Sequence, residues 1–217
     1  MKELYRGYKV IYNYYNLNII AAIIGNIGMA FFNALIMVNG GSLFLIGAIL
    51  FYSLMSLLRI STFILYKKNK SILMIGRIYA IASSIIYLLI PSLLVYVLVE
   101  KEYNGFFLDW FIYAYALYAT LKMTFAFMHI KRTIVEKNIY LMDVKLSNIV
   151  LAFYTIFLLA FSLINENGTM DYAMKTIMLF LNGIVILVSI ASIIIMYKII
   201  RWGKKNDWKI YNRLFFY

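Results

Sequence analysis

Residues 10–58 read VIYNYYNLNIIAAIIGNIGMAFFNALIMVNGGSLFLIGAILFYSLMSLL, which is 49 positions between Lys9 and Arg59 without one charged side chain. A helix crossing the hydrocarbon core of a bilayer takes about 20 apolar residues. The run therefore holds two spans, separated by the turn-forming Asn39-Gly40-Gly41. The first is longer than a signal-peptide core and no small-residue cleavage site follows it, so it reads as retained.

Outward from this stretch the chain keeps the same character. Of its 217 residues 65% are hydrophobic, 14% are charged and one is proline, whereas a soluble domain is about half apolar and about a quarter charged. A soluble globule is excluded. Charge-free apolar runs predict six transmembrane helices at 17–38, 43–66, 78–99, 106–130, 146–165 and 174–197. The runs are continuous and lack the alternation of a barrel strand. The expected fold is all-α: a polytopic membrane protein whose single integral membrane domain covers 1–217, ending in a basic-aromatic tail at 198–217. No cysteine is present, which removes disulfides, thiolate metal sites and a thiol nucleophile together.

Charge distribution sets the expected orientation. Basic residues gather at Lys2, Arg6 and Lys9, at Lys67, Lys68, Lys70 and Arg77, at Lys131, Arg132, Lys137 and Lys145, and from Lys198 to Arg213. The alternate loops hold Glu100, Glu102, Asp109, Glu166 and Asp171 against Lys101 and Lys175. By the positive-inside rule the basic flanks and both termini are cytoplasmic. The net charge of +12 is then explained by insertion, and nucleic acid is not an expected partner. Tyrosines at 5, 8, 12, 14 and 15, with Trp202, Trp208, Tyr211 and Tyr217, read as anchors in the headgroup layer. The tail reads either as lying along an anionic leaflet or as solvated.

An internal repeat is visible. Four Asn-Gly pairs occur where chance predicts fewer than one, and Asn39-Gly40, Asn104-Gly105 and Asn167-Gly168 fall in the three expected external turns. The even spans carry polar residues seven apart, which is one helix face: Tyr52 with Arg59, Tyr115 with Lys122, Asn182 with Ser189. Ser56 joins the first of these faces, and Tyr118 and His129 join the second. Odd spans show Asn26 with Asn33, Ser84 with Pro91, and Asn148 with Thr155 and Ser162. The reading is three parallel-repeat helical hairpins about a pseudo-threefold axis.

Two readings of the polar faces stand open. In one, Tyr52, Arg59, Tyr115, Lys122, Asn182 and Ser189 line an inward cationic vestibule for an anionic solute or lipid headgroup. In the other, Arg59 and Lys122 snorkel to phosphates or cap helix carbonyls, and the tyrosines are interhelical hydrogen bonds. Neither cation has a carboxylate deep in a span, since Asp143 precedes the expected fifth span. Asn26, Asn33 and Asn148 read as polar packing stripes, Pro91 as a bend or a gate, and His129 as an interfacial residue rather than a metal ligand.

Enzymatic motifs are missing: there is no paired-histidine zinc motif, no nucleophile elbow, no Walker loop and no pair of deep carboxylates. No catalytic residue, metal or cofactor is expected. The functional expectation is a small-molecule transporter or permease-like protein. The alternative is a non-catalytic membrane subunit or lipid-binding scaffold, with a membrane protein partner or a homo-oligomer. Tyr5-Arg6-Gly7-Tyr8 and the stretch Tyr113-Ala114-Tyr115-Ala116-Leu117-Tyr118 leading to Lys131-Arg132 give the chain a further feature. With its six-span length, it resembles a family of uncharacterised membrane proteins common in Firmicutes. That resemblance implies a bacterial plasma membrane and nothing catalytic.

Overall fold

A computed structural model describes residues 2–38, 45–68, 71–100, 109–128, 139–166 and 172–205. The described residues form six helices: α1 (Lys2–Val38), α2 (Leu45–Lys67), α3 (Ile72–Glu100), α4 (Asp109–Phe127), α5 (Ile139–Glu166) and α6 (Tyr172–Lys205). The three external Asn-Gly turns, His129, the basic residues at 131–137 and the tail beyond 205 lie outside the described residues.

Five of the helices, all but α4, contain a stretch long and apolar enough to cross a membrane. α4 is the shortest of the six, at 19 residues. The distribution of side chains is inverted relative to a soluble protein. Phe31, Leu57, Leu117, Phe180 and Leu187 are more than half exposed, while Asn33, Arg59, Thr155 and Asn182 are fully buried. Apolar groups outside and hydrogen-bonded polar groups inside are what a lipid solvent selects. The chain is thus compatible with a multi-pass integral membrane protein.

Several helices outrun the spans expected from charge. At about 1.5 Å per residue α1 is about 55 Å long and α6 about 51 Å, against a hydrocarbon core of about 30 Å. Residues 198–205 continue α6 rather than opening a separate tail. The consequential correction is in α5. It begins at Ile139, not at 146, and so takes Asp143 and Lys145 into the helix, where both are buried. Trimming a span at its first charge fails here because these charges point into the protein rather than into lipid.

Neighbouring helices in close contact are α1 with α2, α2 with α3, α3 with α6, α6 with α5, and α5 with α4. Side chains of α4 and α1 complete the circuit. Contact register fixes directions: Tyr52 meets Thr155 while Arg59 meets Asn148. Likewise Tyr115 meets Asn33 while Lys122 meets Asn26, and Asn182 meets Pro91 while Met196 meets Ser83. Even-numbered helices therefore run opposite to odd-numbered ones. The helix ends bearing Lys67, Arg77, Lys145 and Lys198 lie at one end, and those bearing Glu100, Asp109 and Glu166 at the other.

Packing is uneven among the expected hairpins. The pairs α1/α2 and α5/α6 are in close contact, whereas among the described residues α3 and α4 are not; α4 rests on α5, and α3 on α6, α2 and α5. The reason is the central position of α5, where 61% of the spanning residues are buried against 28–39% in the other four apolar spans. Gly76 permits the close approach of α3 to α5: a Cβ there would sit 2.5 Å from Ile139 Cγ2 and 3.3 Å from Asp143 Oδ2. Gly76→Ala is expected to lower stability by about 1–3 kcal/mol through overpacking. An unshifted unfolding midpoint in detergent would contradict that approach.

Candidate functional site

The polar faces expected from seven-residue spacing are buried, and each even helix delivers one of its side chains to an odd helix. Tyr52 on α2 shares a 2.6 Å hydrogen bond with Thr155 on α5. Tyr115 on α4 donates to Asn33 Oδ1 on α1 at 2.7 Å, and Asn182 on α6 donates from Nδ2 to the Pro91 carbonyl on α3 at 2.9 Å. Ser189 bonds only within its own helix, to the Val185 carbonyl. Tyr52, Tyr115 and Asn182 are therefore interhelical contacts.

Arg59 and Lys122 do not snorkel. Arg59 is fully buried: Nη2 donates to Ser147 Oγ at 2.6 Å and to Asn148 Oδ1 at 2.8 Å, and Nε donates to Tyr79 OH at 3.3 Å. Lys122 is 4% exposed; its Nζ donates to Asn26 Oδ1 at 2.9 Å and lies 5.1 Å from the centre of the Tyr118 ring. Tyr118 donates to the same Asn26 oxygen at 2.8 Å. Its ring reaches α1 beside Gly25, where a Cβ would stand 3.3 Å from Tyr118 Cε2.

Beside these bonds a cavity of about 190 Å³ lies between α1, α4 and α5. Ile19, Ala22 and Gly25 form one wall, and Leu121 and Phe125 stand on the α4 side. Lys122, Lys145 and Asn148 supply its polar groups. Leu121 and Phe125 are themselves partly exposed, at 44% and 41%, so the cleft opens sideways on the apolar surface. Lys122 stands about 9 Å along α4 from Met128, and Lys145 about 9 Å along α5 from Ile139, which places both in the basic half of the molecule.

Lys145 holds the mouth of the cleft in shape. Its Nζ donates to the carbonyls of Phe125 at 2.6 Å and Met128 at 3.0 Å, the last turn of α4. A helix C-terminus leaves such carbonyls unpaired within the helix and carries partial negative charge, so an ammonium there satisfies both. Asn26 Nδ2 and Arg59 Nη1 have no hydrogen-bond partner. No carboxylate lines the cavity. Two lysine side chains on the wall of a cavity that no carboxylate lines are the chemistry that receives an anion.

Of the expected site residues, the structure brings Lys122 and Asn148 to this cleft, with Arg59 one hydrogen bond behind Asn148 and Asn26 bonded to Lys122. Tyr52, Tyr115, Asn33, Asn182 and Ser189 lie elsewhere. Sequence reasoning assigned Lys145 to a flanking loop. The signal that it belongs to a buried face was present in Leu141, Val144, Lys145 and Asn148, spaced i, i+3, i+4, i+7, all four of which line the cavity. Among the described residues no cluster of metal-ligating side chains occurs. No family model, curated protein or solved structure matches the chain.

Proposed function

We propose that this chain is a non-enzymatic, permease-like protein of a bacterial plasma membrane, and that it takes a small anionic molecule into the cleft between α1, α4 and α5. The observation that carries the reading is the pair of lysine side chains, Lys122 and Lys145, on the wall of one cavity that no carboxylate lines. All six helices cross the membrane in this reading, with α4 shielded by its hydrogen bonds to α1. Both termini are cytoplasmic, because Lys67, Lys68, Arg77, Lys198 and Arg201 gather at one end. The three-hairpin repeat is supported by the bonds Tyr52–Thr155, Tyr115–Asn33 and Asn182–Pro91, in which each even helix reaches the odd helix of the preceding hairpin, counted cyclically. The packing departs from that symmetry through the central α5.

A second reading, a non-catalytic lipid-binding subunit, is favoured by the lateral opening past Leu121 and Phe125. Binding of sulfate and of octyl sulfate to the full chain in phosphatidylcholine vesicles tests both, after subtraction of protein-free vesicles. Replacing both lysines, Lys122→Gln with Lys145→Gln, is expected to weaken binding by at least about a hundredfold, since each charged hydrogen bond contributes about 1.5–3 kcal/mol. Unchanged affinity in the folded double variant would reject the cleft as the site. Equal affinity for the two probes points to a solute, and retention of octyl sulfate alone points to a lipid headgroup. Release of the bound probe inside the vesicles marks a permease; binding without release marks the lipid-binding subunit.

A further inference from the structure

Asp143 is the one buried acid among the described residues, fully inaccessible on α5, and neither carboxylate oxygen has a hydrogen-bond partner. One turn further along the same face, about 6 Å away, Ser147 accepts from Arg59 Nη2 and from Tyr79 OH and donates to the Val144 carbonyl. Arg59 Nη1 is unpartnered. An acid and a base with unmet hydrogen bonds thus occupy successive turns of one buried layer, unpaired. An ionised carboxylate left alone in such surroundings costs several kcal/mol. An intramembrane ionisable group of this kind marks an ion or proton pathway. A hard metal ion needs about six oxygen ligands, and Ser147, one turn away on the same face, is fully committed; a proton needs one oxygen.

Resting on the cleft reading above, we infer that Asp143 is a proton-binding site linked to the anion cleft through Arg59. With a proton from water on the carboxylate, Arg59 stays on Ser147 and on Asn148, which lines the cleft, and its charge supports a bound anion. When the proton leaves, the carboxylate draws the guanidinium one turn along α5 and away from Asn148. Anion and proton therefore bind together, the linkage of a symporter. The other titratable groups around this layer are Tyr66 on α2, Tyr79, Tyr87 and the exposed Arg77 on α3, Tyr140 and Lys145 on α5, and Tyr118 and Lys122 on α4. Tyr197, Lys198 and Arg201 of α6 are exposed, and α1 contributes Asn26 and no buried charge among its described side chains.

Octyl sulfate, whose charge does not change with pH, reads the linkage in phosphatidylcholine vesicles. Wild-type affinity is expected to fall as pH rises, by up to about tenfold per pH unit for one linked proton, whereas Asp143→Asn binds with a flat profile. Infrared difference spectra should show a protonated-carboxyl band in wild type that Asp143→Asn lacks. Should that variant fail to fold, the chain with Asp109, Asp171 and Asp207 changed to Asn leaves Asp143 as the sole aspartate, and incorporation of aspartate carrying a 13C carboxyl shifts its band away from those of the glutamates. A sloping profile that persists in Asp143→Asn, or a flat wild-type profile with the probe bound, overturns the coupling and leaves the cleft intact. Absence of probe binding in wild type overturns the cleft reading instead, and the carboxyl band then decides Asp143 by itself.

Discussion

Arg59→Met should be more stable than Arg59→Ala by about 2–5 kcal/mol, and no less stable than the wild type. Arg59 is the largest fully buried side chain, wedged among α2, α3 and α5. Truncation to alanine leaves a cavity bordered by Tyr79 and Ser147. Methionine fills that volume without a charge, and replacing buried charge by apolar groups of similar size is often neutral or stabilising. The hydroxyls left behind keep partners, since Tyr79 still donates to Ser147 and Ser147 still donates to Val144. Asn148 keeps access to the cleft. Unfolding midpoints of the three proteins in one detergent decide the matter. If Arg59→Met unfolds well before wild type, the guanidinium is a structural clamp, and its assignment to the cleft loses its basis.

Tyr154→Ala should lose about 3–5 kcal/mol, as large aromatic truncations in closed cores do. Tyr154 sits at the centre of the aromatic cluster that joins α2 to α5. Its ring centroid lies 4.2 Å from Phe51, 5.9 Å from Tyr52 and 6.2 Å from Phe157. The Tyr154 hydroxyl has no hydrogen-bond partner, so Tyr154→Phe removes an unsatisfied group and should match or exceed wild-type stability. A large loss in Tyr154→Phe would show that the hydroxyl carries structure. A small loss in Tyr154→Ala would show that α5 is not the central packing element.

Much of the fold is legible in the sequence because lipid imposes a simple rule. Uncharged runs of span length become helices, and polar side chains that recur at seven residues must share a buried face. Tyr52 and Arg59, Tyr115 and Lys122, and Asn182 and Ser189 are all buried as that spacing predicts. Two features escaped. Asp143 and Lys145 read as a helix boundary, since a charge near a span end ordinarily faces water. Only the position of α5 between four neighbours turns that stretch inward. The hairpin α3/α4 also reads like the other two, yet the polar side of α4 finds its partners on α1, and Lys145 ties the end of α4 to α5.

Composition and periodicity alone determined that the chain is helical, apolar outside and polar along particular faces. Those properties follow from transfer energies and helix geometry, which act residue by residue. Which face meets which was decided only in three dimensions. Asn26 meets Lys122, Thr155 meets Tyr52, and Arg59 reaches past Ser147 to the wall of a cleft because helices distant in sequence pack side by side. Hydrogen-bond partners separated by some 80 to 100 positions, such as Tyr115 and Asn33 or Tyr52 and Thr155, leave no local trace in the chain. The cationic cleft exists only where three such helices fail to close on one another.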